Sequence, residues 1–249
     1  MSAPLPQLGP PPRLSVVIPA KNEAGSIVEQ LDELERVLAP LAPFEVVYVI
    51  DGSTDDTSAV LARAARPWLR VVRHAESCGK SAALLTGIRA ARAEIVSTLD
   101  GDGQNDPAYV IPLVEALERG GPAVGLAVGQ RLRRGDGGFK KFQSRIANRV
   151  RQAILADDTR DTACGHKVIR RQVFLELPFF DALHRFLPAL VKREGYGVVH
   201  VDVIDRPRTA GTSHYGFFDR LWSGLLDLFG VWWLLRRRRR VPRIVETRP

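Results

Sequence analysis

The sequence predicts an α/β protein with a mostly parallel sheet flanked by helices, on two observations. Short apolar runs alternate with segments of helical periodicity from Leu14 to about Gln130. Strands separated by helices form crossover units, and such units build parallel sheets that are covered on both faces. The run Phe44–Ile50 is nearly all apolar, as expected for a strand that is buried on both sides.

The predicted elements alternate regularly in this region. The predicted strands are Leu14–Pro19, Phe44–Ile50, Leu69–Val72, Glu94–Leu99 and Ala123–Val128. The predicted helices are Glu23–Leu41, Thr54–Ala65, Lys80–Ala91 and Pro107–Arg119. The first of these helices places apolar side chains on one face and has Asn22 as its expected N-cap; the apolar positions are Ile27, Leu31, Leu34 and Leu38.

Beyond Gln130 the pattern is less regular. We expect mixed short elements after residue 161, together with a helix at about Phe142–Ala156, a helix at about Ala182–Glu194 and a strand at about Val198–Asp205. Residues 1–12 contain five prolines and are expected to form a disordered leader. Residues 13–215 are the predicted α/β domain, and residues 216–249 are a predicted helix with a basic tail.

The positive charge of the chain is concentrated at one end. The formal net charge is +8, and the segment from Arg236 to Pro249 contributes +6 of it through seven Arg and one Glu. The nearly neutral remainder argues against a nucleic-acid-binding face, and the basic tail indicates an anionic membrane surface as a partner. Two cysteines far apart and no signal-peptide pattern at the N-terminus predict a protein of the reducing cytoplasm.

Polar residues follow three of the predicted strands, at Pro19–Glu23, Asp51–Asp56 and Asp100–Gln104. Parallel strands bring their carboxyl ends to one edge of the sheet, where ligands bind. Acidic residues gathered there would repel one another and any phosphate, and Mg²⁺ or Mn²⁺ with oxygen ligands would relieve that repulsion. Asp100, Asp102 and Gln104 alternate, so in an extended strand they would share a face. The alternative interpretation is that these aspartates are ordinary turn formers.

Other kinds of site fit the sequence less well. Gly79-Lys80-Ser81 resembles the end of an ATPase phosphate loop, but position 74 is His74 where that motif needs glycine. No Gly-x-Gly-x-x-Gly follows the first strand, which argues against a dinucleotide oxidoreductase. The five histidines show no paired metal-ligand spacing and are expected to be structural or surface residues. Cys164 is expected to be a packed free thiol, with a nucleophile as the alternative.

Four early segments recur in a family-specific order and spacing: Val16–Glu23, Asp51–Thr57, Gly79–Leu84 and Asp100–Gln104. With them the chain resembles the large family of inverting glycosyltransferases with the GT-A fold. Four later segments resemble its polyprenyl-phosphate branch, typified by dolichol-phosphate mannose synthase: Gly129–Arg131, Ser144–Asn148, Asp161–Lys167 and Arg208–Tyr215. The sequence departs from this pattern at His214, where we expect Lys, and at Ile50, where many relatives have a second acidic residue.

The resemblance implies a role for each matching residue. Binding of the nucleotide sugar is implied for Pro19, Ala20, Asn22, Glu23, Asp51, Gly79, Lys80, Asp100, Gly101 and Asp102. Binding of Mg²⁺ or Mn²⁺ is implied for Asp100, Asp102 and Gln104. Binding of the acceptor phosphate is implied for Arg131, Ser144, Arg145 and Arg208, although surface salt bridges are an alternative for these arginines. The implied catalytic residues are Asp102, Arg131, Arg145 and Arg208.

The implied reaction transfers a sugar from a nucleotide-sugar donor to a polyprenyl phosphate with inversion. A phosphate oxygen is already anionic, so the reaction depends on positioning and on stabilising the departing diphosphate. Mannose from GDP-mannose is one implied donor, and glucose, aminoarabinose or a uronic acid from UDP donors stay open. The alternatives are a membrane-associated protein that binds a nucleotide sugar without catalysis, or a glycosyltransferase with a non-lipid acceptor.

The segment Phe217–Leu235 is predicted to be a helix lying in the membrane interface. It has nineteen residues and contains Arg220 and Asp227, which disfavours a full crossing. Its tryptophans suit the headgroup boundary, and Arg236–Arg240 would face anionic lipid. We therefore expect a peripheral protein on the inner face of the cell membrane. Packing of this helix on the domain and contact within a homo-oligomer are the alternatives.

Overall fold

The computed structural model describes residues 10–132, 151–152, 154–206 and 217–237, with the side chains of the last range described from residue 224. Within these residues, seven strands form one sheet in the order β3-β2-β1-β4-β6-β5-β7. They are β1 (Leu14–Ala20), β2 (Phe44–Asp51), β3 (Leu69–His74), β4 (Ile95–Thr98), β5 (Val124–Arg131), β6 (Lys167–Arg170) and β7 (Gly197–Val203).

The sheet is parallel except for β6, which pairs antiparallel with both β4 and β5. The mostly parallel sheet predicted from the sequence is confirmed, whereas strand β6 was not predicted. It has only four residues, Lys167–Arg170, and two of them are basic, so no alternating pattern marks it. Its pairing with two distant strands, and not its own sequence, makes it a strand.

Seven α-helices are described, and they cover both faces of the sheet. They are α1 (Ile27–Leu38), α2 (Thr57–Arg63), α3 (Lys80–Ala90), α4 (Val110–Arg119), α5 (Arg171–Glu176), α6 (Leu187–Arg193) and α7 (Phe217–Arg236). Helices α1 and α4 pack on one face, and α3, α5, α6 and α7 pack on the other. The predicted apolar face of α1 is confirmed, because all four of its predicted side chains are fully buried there.

Several predicted helix boundaries are wrong. Helix α1 begins at Ile27 after Ser26, because Asn22 has a left-handed φ of 58° and cannot be its N-cap. Helix α2 begins three residues later than predicted, because the Asp55 carboxylate accepts a hydrogen bond from the Thr57 amide and holds a turn before it. Short 3-10 turns precede α4 and α6, at Pro107–Tyr109 and Leu183–Arg185. The predicted helix 142–156 lies largely outside the described residues.

Helix α7 packs on the domain and also has an outward apolar face. Val231 is 2% exposed and belongs to the same core as α3 and α6, and Arg193 of α6 donates to the Leu234 carbonyl at 3.2 Å. The opposite face has four exposed apolar side chains: Leu225, Leu226, Phe229 and Trp233. Among the helices of the described residues, none combines the length with the hydrophobicity that a membrane crossing requires.

A buried carboxylate, Glu45, joins three elements at the amino end of the sheet. It is 1% exposed and accepts from the Ser15 hydroxyl at 2.6 Å, from the Arg92 amide at 2.7 Å, and from the guanidinium groups of Arg70 and Arg92 at 3.0 Å. Burial alone would raise the pKa of this carboxyl, but these hydrogen bonds outweigh burial and hold the pKa below its ordinary value of 4.5.

We expect Glu45→Gln to lower the free energy of unfolding by roughly 1–3 kcal/mol at pH 7, because two guanidinium groups lose their charged acceptor. A pKa lowered in the folded state stabilises the protein above pH 4.5, and this contribution is lost as the pH falls through the folded pKa. Urea unfolding at pH 7 and below pH 4 measures both effects. The exposed Glu94→Gln change is the control, and an equal loss in both variants would contradict the role of Glu45.

Candidate active site

The carboxyl ends of β1, β2 and β4 lie side by side, because β1 pairs in parallel with the other two strands. The loops that follow these strands contain the three polar segments singled out in the sequence. Asn22 Oδ1 accepts from the Thr54 amide at 2.8 Å, and the Glu23 amide donates to Thr57 Oγ1 at 3.0 Å. The first two loops are therefore held together by hydrogen bonds at this edge of the sheet.

Asp51, the last residue of β2, organises the loop before α3. Its Oδ1 accepts from His74 Nδ1 at 2.8 Å and from the Cys78 amide at 2.7 Å. Its Oδ2 accepts from the Ser77 hydroxyl and from the Gly79 amide, both at 2.9 Å. Burial would raise the pKa of this carboxyl, but the hydrogen bonds lower the pKa below its usual value, so Asp51 is ionised.

These four hydrogen bonds bear on the role implied for Asp51. A carboxylate has about four lone-pair positions, and this chain fills four of them itself. Gly52 fits the same arrangement, since a Cβ there would lie 2.4 Å from the Ser77 amide nitrogen. Direct binding of a nucleotide by Asp51 stays a prediction, whereas its structural role in the loop is plain.

The start of helix α3 connects β2 with β4. The Gly79 amide donates to Asp51, and the next residue, Lys80, places its Nζ 2.5 Å from Asp100 Oδ1. Burial would raise the pKa of the Asp100 carboxyl, but Lys80, and more weakly Lys167, lower it. Asp51, Gly79, Lys80 and Asp100 were each predicted for the site, and the structure brings all four together.

The segment Asp100–Gln104 is a turn and not an extended strand. Strand β4 ends at Thr98, Gly103 has a φ of 73°, and Asp102 Oδ1 accepts from the Gln104 amide at 3.1 Å. The prediction that Asp100, Asp102 and Gln104 share one strand face is therefore wrong. An aspartate that binds the amide two residues ahead favours a turn over the strand.

Two buried side chains, Tyr48 and Gln30, connect this turn to the core by hydrogen bonds. The Tyr48 hydroxyl donates to Gln30 Oε1 in the core, and Gln30 Nε2 donates to the Asp100 carbonyl at 2.9 Å. Gly101 packs against β1, where a Cβ would lie 3.1 Å from the Pro19 carbonyl and 3.2 Å from Ala20 Cβ. The sequence analysis missed Tyr48 and Gln30, because a tyrosine within a strand and a glutamine within a helix carry no special spacing.

Arg131, at the end of β5, is held by two carboxylates. Its Nε and Nη2 donate to Asp161 at 2.5 and 3.0 Å, and its Nη1 lies 3.2 Å from Asp205 Oδ2. Asp205 also accepts from Asn105 Nδ2 at 3.3 Å, and Asn105 Oδ1 accepts from the Asp100 amide at 2.8 Å. Arg131 is thus linked to the Asp100 turn, while Ser144, Arg145 and Arg208 lie outside the described residues.

The segment Asp161–Lys167 packs directly against the Asp100 turn. A Cβ at Gly165 would lie 2.2 Å from Asn105 Oδ1 and 2.9 Å from Asp100 Cγ, so only glycine fits. Next to it, Cys164 is buried and free, as predicted, and burial raises the pKa of its thiol to about 11. A protonated, enclosed thiol does not favour the nucleophile interpretation.

Two clusters among the described residues have three ligand-type atoms within 4.8 Å of one another: Asp51, His74 and Cys78, and Cys164, His166 and Asp205. The carboxylate of each cluster already accepts several hydrogen bonds from the chain. The sequence instead assigns the metal to Asp100, Asp102 and Gln104, which offer the hard oxygen donors that Mg²⁺ and Mn²⁺ prefer. Asp100 already attracts a cationic group, the ammonium of Lys80.

We expect Asp51→Asn to lower the free energy of unfolding by roughly 1–3 kcal/mol, because an amide cannot accept from four donors. Weaker nucleotide binding should follow, since the loop before Lys80 loses its anchor. Chemical unfolding and calorimetry with UDP and GDP measure the two effects. The exposed Asp56→Asn change in the neighbouring loop is the control and should stay within about 0.5 kcal/mol. Unchanged stability of Asp51→Asn would contradict the anchoring role.

Comparison with known proteins places this geometry in a family. Residues 15–177 match the model for glycosyl transferase family 2. The dodecaprenyl-phosphate galacturonate synthase of Rhizobium johnstonii is 35% identical, and the match covers 91% of this chain and 68% of that protein. The undecaprenyl-phosphate 4-deoxy-4-formamido-L-arabinose transferase of Klebsiella pneumoniae is 30% identical, with 88% and 67% covered.

A solved structure confirms the fold. Glucosyl-3-phosphoglycerate synthase from Mycobacterium tuberculosis, in complex with Mn²⁺, UDP-glucose and glycerol 3-phosphate, matches with a TM-score of 0.67 at 20% identity, covering 91% of this chain and 80% of that one. The GT-A fold predicted from the sequence is therefore confirmed. The named relatives act on polyprenyl phosphates, in agreement with the branch that the later motifs indicated. The chain is a glycosyltransferase and belongs to glycosyl transferase family 2.

Proposed function

We propose that the chain transfers a sugar from a nucleotide-sugar donor to a polyprenyl phosphate, with inversion at the sugar carbon. The binding of the nucleotide-sugar donor is supported by one observation: the start of α3 contacts two strand ends. Gly79 contacts Asp51, and Lys80 contacts Asp100. This arrangement sets an ammonium beside the carboxylates at the edge where a diphosphate would lie. The proposal that a polyprenyl phosphate is the acceptor is supported by the relatives, which are named for dodecaprenyl and undecaprenyl phosphate.

Asp100, Asp102 and Gln104 would hold Mg²⁺ or Mn²⁺ in this site. Their oxygen donors fit such an ion, and Asp100 is already close to a cationic group. When bound, a divalent ion supplies positive charge next to the departing diphosphate. Lys80 adds a further positive charge from the protein, and the hydrogen bonds of Gln30 and Asn105 keep the Asp100 backbone in place.

On the acceptor side, Arg131, Arg145 and Arg208 would bind the lipid phosphate, with Ser144 assisting. Two carboxylates hold the guanidinium of Arg131 in one orientation, so little side-chain freedom is left to lose on binding. A phosphate oxygen is anionic at neutral pH, so no strong general base is needed. The chain then contributes position and charge rather than proton transfer.

The donor has several candidate sugars and two candidate nucleotide bases. The two relatives are named for galacturonate and for 4-deoxy-4-formamido-L-arabinose, and both sugars fall within the range of donors considered from the sequence. Mannose from GDP-mannose and glucose from a UDP donor are the other candidates. Thermal-shift screening of the protein with UDP- and GDP-sugars and Mn²⁺ separates them.

A second candidate is transfer to a soluble phosphorylated acceptor. The solved synthase of the same fold was crystallised with glycerol 3-phosphate, a phosphate ester without a polyprenyl chain. A non-catalytic nucleotide-sugar-binding protein is the third candidate. Assays with a short-chain polyprenyl phosphate and with glycerol 3-phosphate distinguish these functions, since turnover with neither acceptor and intact nucleotide binding would favour the third.

We expect Asp102→Asn to lower transfer at least tenfold, because it removes a charged oxygen ligand and leaves the size of the side chain unchanged. The loss should appear without unfolding, as judged by circular dichroism, and Asp56→Asn again serves as the control. EDTA should abolish transfer by the unmodified protein, and added Mn²⁺ or Mg²⁺ should restore it. Full activity in EDTA, or in Asp102→Asn, would refute the metal role.

We also propose that α7 docks on an anionic membrane surface. Its outward face has Leu226 at 60% and Phe229 at 65% exposure, and the positive tail follows directly. The Arg236 guanidinium lies 3.7 Å from the centre of the Trp232 ring, and Arg237 lies 5.2 Å from Trp233, so charge and aromatic surface stand together at one helix end. That combination suits the headgroup region of a membrane, where aromatic rings lie at the interface and cations attract anionic lipid headgroups.

The change of Leu226 and Phe229 to Glu should reduce pelleting with anionic vesicles at least fivefold, because apolar contact is replaced by charge repulsion. Phe179→Glu is the matched control, since Phe179 is an exposed phenylalanine elsewhere on the protein. Co-sedimentation with vesicles containing phosphatidylglycerol, and with neutral vesicles, measures binding. Equal pelleting of both variants, or no preference for anionic vesicles, would remove the docking proposal.

A further inference from the structure

A cavity of about 450 Å³ lies beside Asp100, on the side of the sheet covered by α3 and α6. Its wall includes the start of α3, the end of β4 and the start of β6; the lining residues used below are Lys80, Asp100, Lys167, His184 and Arg185. The volume falls within the range of small-molecule pockets, roughly 300–1,000 Å³. Leu84 and Leu187 add apolar surface, so the cavity offers both contact area and charge.

The cavity is electropositive. Three cationic side chains and one carboxylate line it, which gives a formal net charge of +2. Lys80 is paired with Asp100, so the excess charge comes from Lys167 and Arg185. His184 adds no charge, because burial together with Lys80, Lys167 and Arg185 lowers its pKa to about 3. This surplus of positive charge favours an anionic ligand.

Lys167 is the buried residue among the three cationic side chains that line the cavity. It is 5% exposed, and within the described part of the chain its ammonium donates one hydrogen bond, to the Cys164 carbonyl, and forms no ion pair. An ammonium has three N–H donors. Burying a charge without a direct ion pair is costly, and burial lowers the pKa of Lys167 to about 8, even though the carboxylates of Asp100 and Asp161 act on it in the opposite direction. A ligand oxyanion beside Nζ would supply both the missing acceptor and the missing charge.

Within the proposed function, the sugar is the part of the donor that suits this cavity. The donor diphosphate is assigned to the edge at Asp100 and Asp102. The acceptor phosphate is assigned to the arginine group, whose described member Arg131 does not line the cavity. The sugar must lie close to the diphosphate to which it is bonded, and the cavity is next to Asp100. The polyprenyl chain is apolar and does not suit a cavity lined by Lys80, Lys167 and Arg185.

Resting on the proposed function, we infer that this cavity holds a donor sugar that carries a carboxylate, a uronic acid, and that Lys167 binds this carboxylate with Arg185 adding positive charge. The apolar contacts of Leu84 and Leu187 would face the sugar ring. A neutral hexose would leave the buried ammonium without a direct ion pair, so the cavity should discriminate against it.

Calorimetry of the full chain with Mn²⁺ tests the inference with matched sugar nucleotides. The pairs are UDP-galacturonic acid with UDP-galactose, UDP-glucuronic acid with UDP-glucose, and GDP-mannuronic acid with GDP-mannose. We expect the acid of at least one pair to bind roughly tenfold or more tightly than its neutral partner, as one charged hydrogen bond in a buried site provides. Equal affinities within every pair, with UDP or GDP binding intact, overturn the inference alone. Absence of binding by UDP and by GDP overturns the proposed function as well.

Variants then assign the preference to Lys167. Lys167→Met should reduce the preference for the acid to less than threefold, and Lys167→Arg should restore it, since both changes alter the packing but only Arg keeps the charge. Lys192→Met, which removes a lysine outside the cavity, is the control and should keep the preference. A full preference in Lys167→Met overturns the assignment. If that variant instead loses affinity for a short-chain polyprenyl phosphate and keeps the acid preference, the cavity belongs to the acceptor and the inference fails.

Discussion

Carboxylates gathered at one sheet edge need compensating charge and donors, and the start of helix α3 provides both. One residue of this helix start, Gly79, donates its amide to Asp51, and the next, Lys80, gives its ammonium to Asp100. Because Asp51 ends strand β2 and Asp100 follows strand β4, the contact links the ends of two strands. The turn at Asp100, the loop before α3 and the cavity beside them all depend on this junction.

The junction in turn depends on polar side chains buried in the core. Tyr48 and Gln30 carry a hydrogen-bonded chain from inside strand β2 to the Asp100 carbonyl, and Asn105 holds the Asp100 amide. Both backbone groups of Asp100 are therefore occupied, and only its side chain, which is paired with Lys80, is in a position to respond to a ligand. Such buried networks are costly when any member lacks a partner, so they select one arrangement of the loop. Rigid support of this kind keeps charged groups positioned before the substrate arrives.

Sequence reasoning located residues whose position follows from a strand end. Asp51 and Asp100 were found because parallel strands carry their ligands at one edge, and the family resemblance added Gly79 and Lys80. The structure brings these four residues together. Sequence reasoning failed where contacts between distant segments decide the structure. Strand β6 exists through its pairing with β4 and β5, and Gly165 matters through its closeness to Asn105 and Asp100. The burial of the Lys167 ammonium was not predicted, because the sequence on either side of Lys167 does not indicate it.

Arg131 and Lys167 differ in whether a carboxylate of the chain forms an ion pair with them. Arg131 meets two carboxylates and uses three of its five N–H groups on them, so the chain more than balances its charge and fixes its orientation. Among the described residues, Lys167 donates to a carbonyl and forms no direct ion pair, although it is buried. The first arrangement keeps the guanidinium oriented with or without a ligand, so in the proposed function the positive charge that attracts the phosphate would have to come from Arg145 and Arg208. The second suits an anion that enters with a larger ligand, since only a bound oxyanion relieves the buried charge.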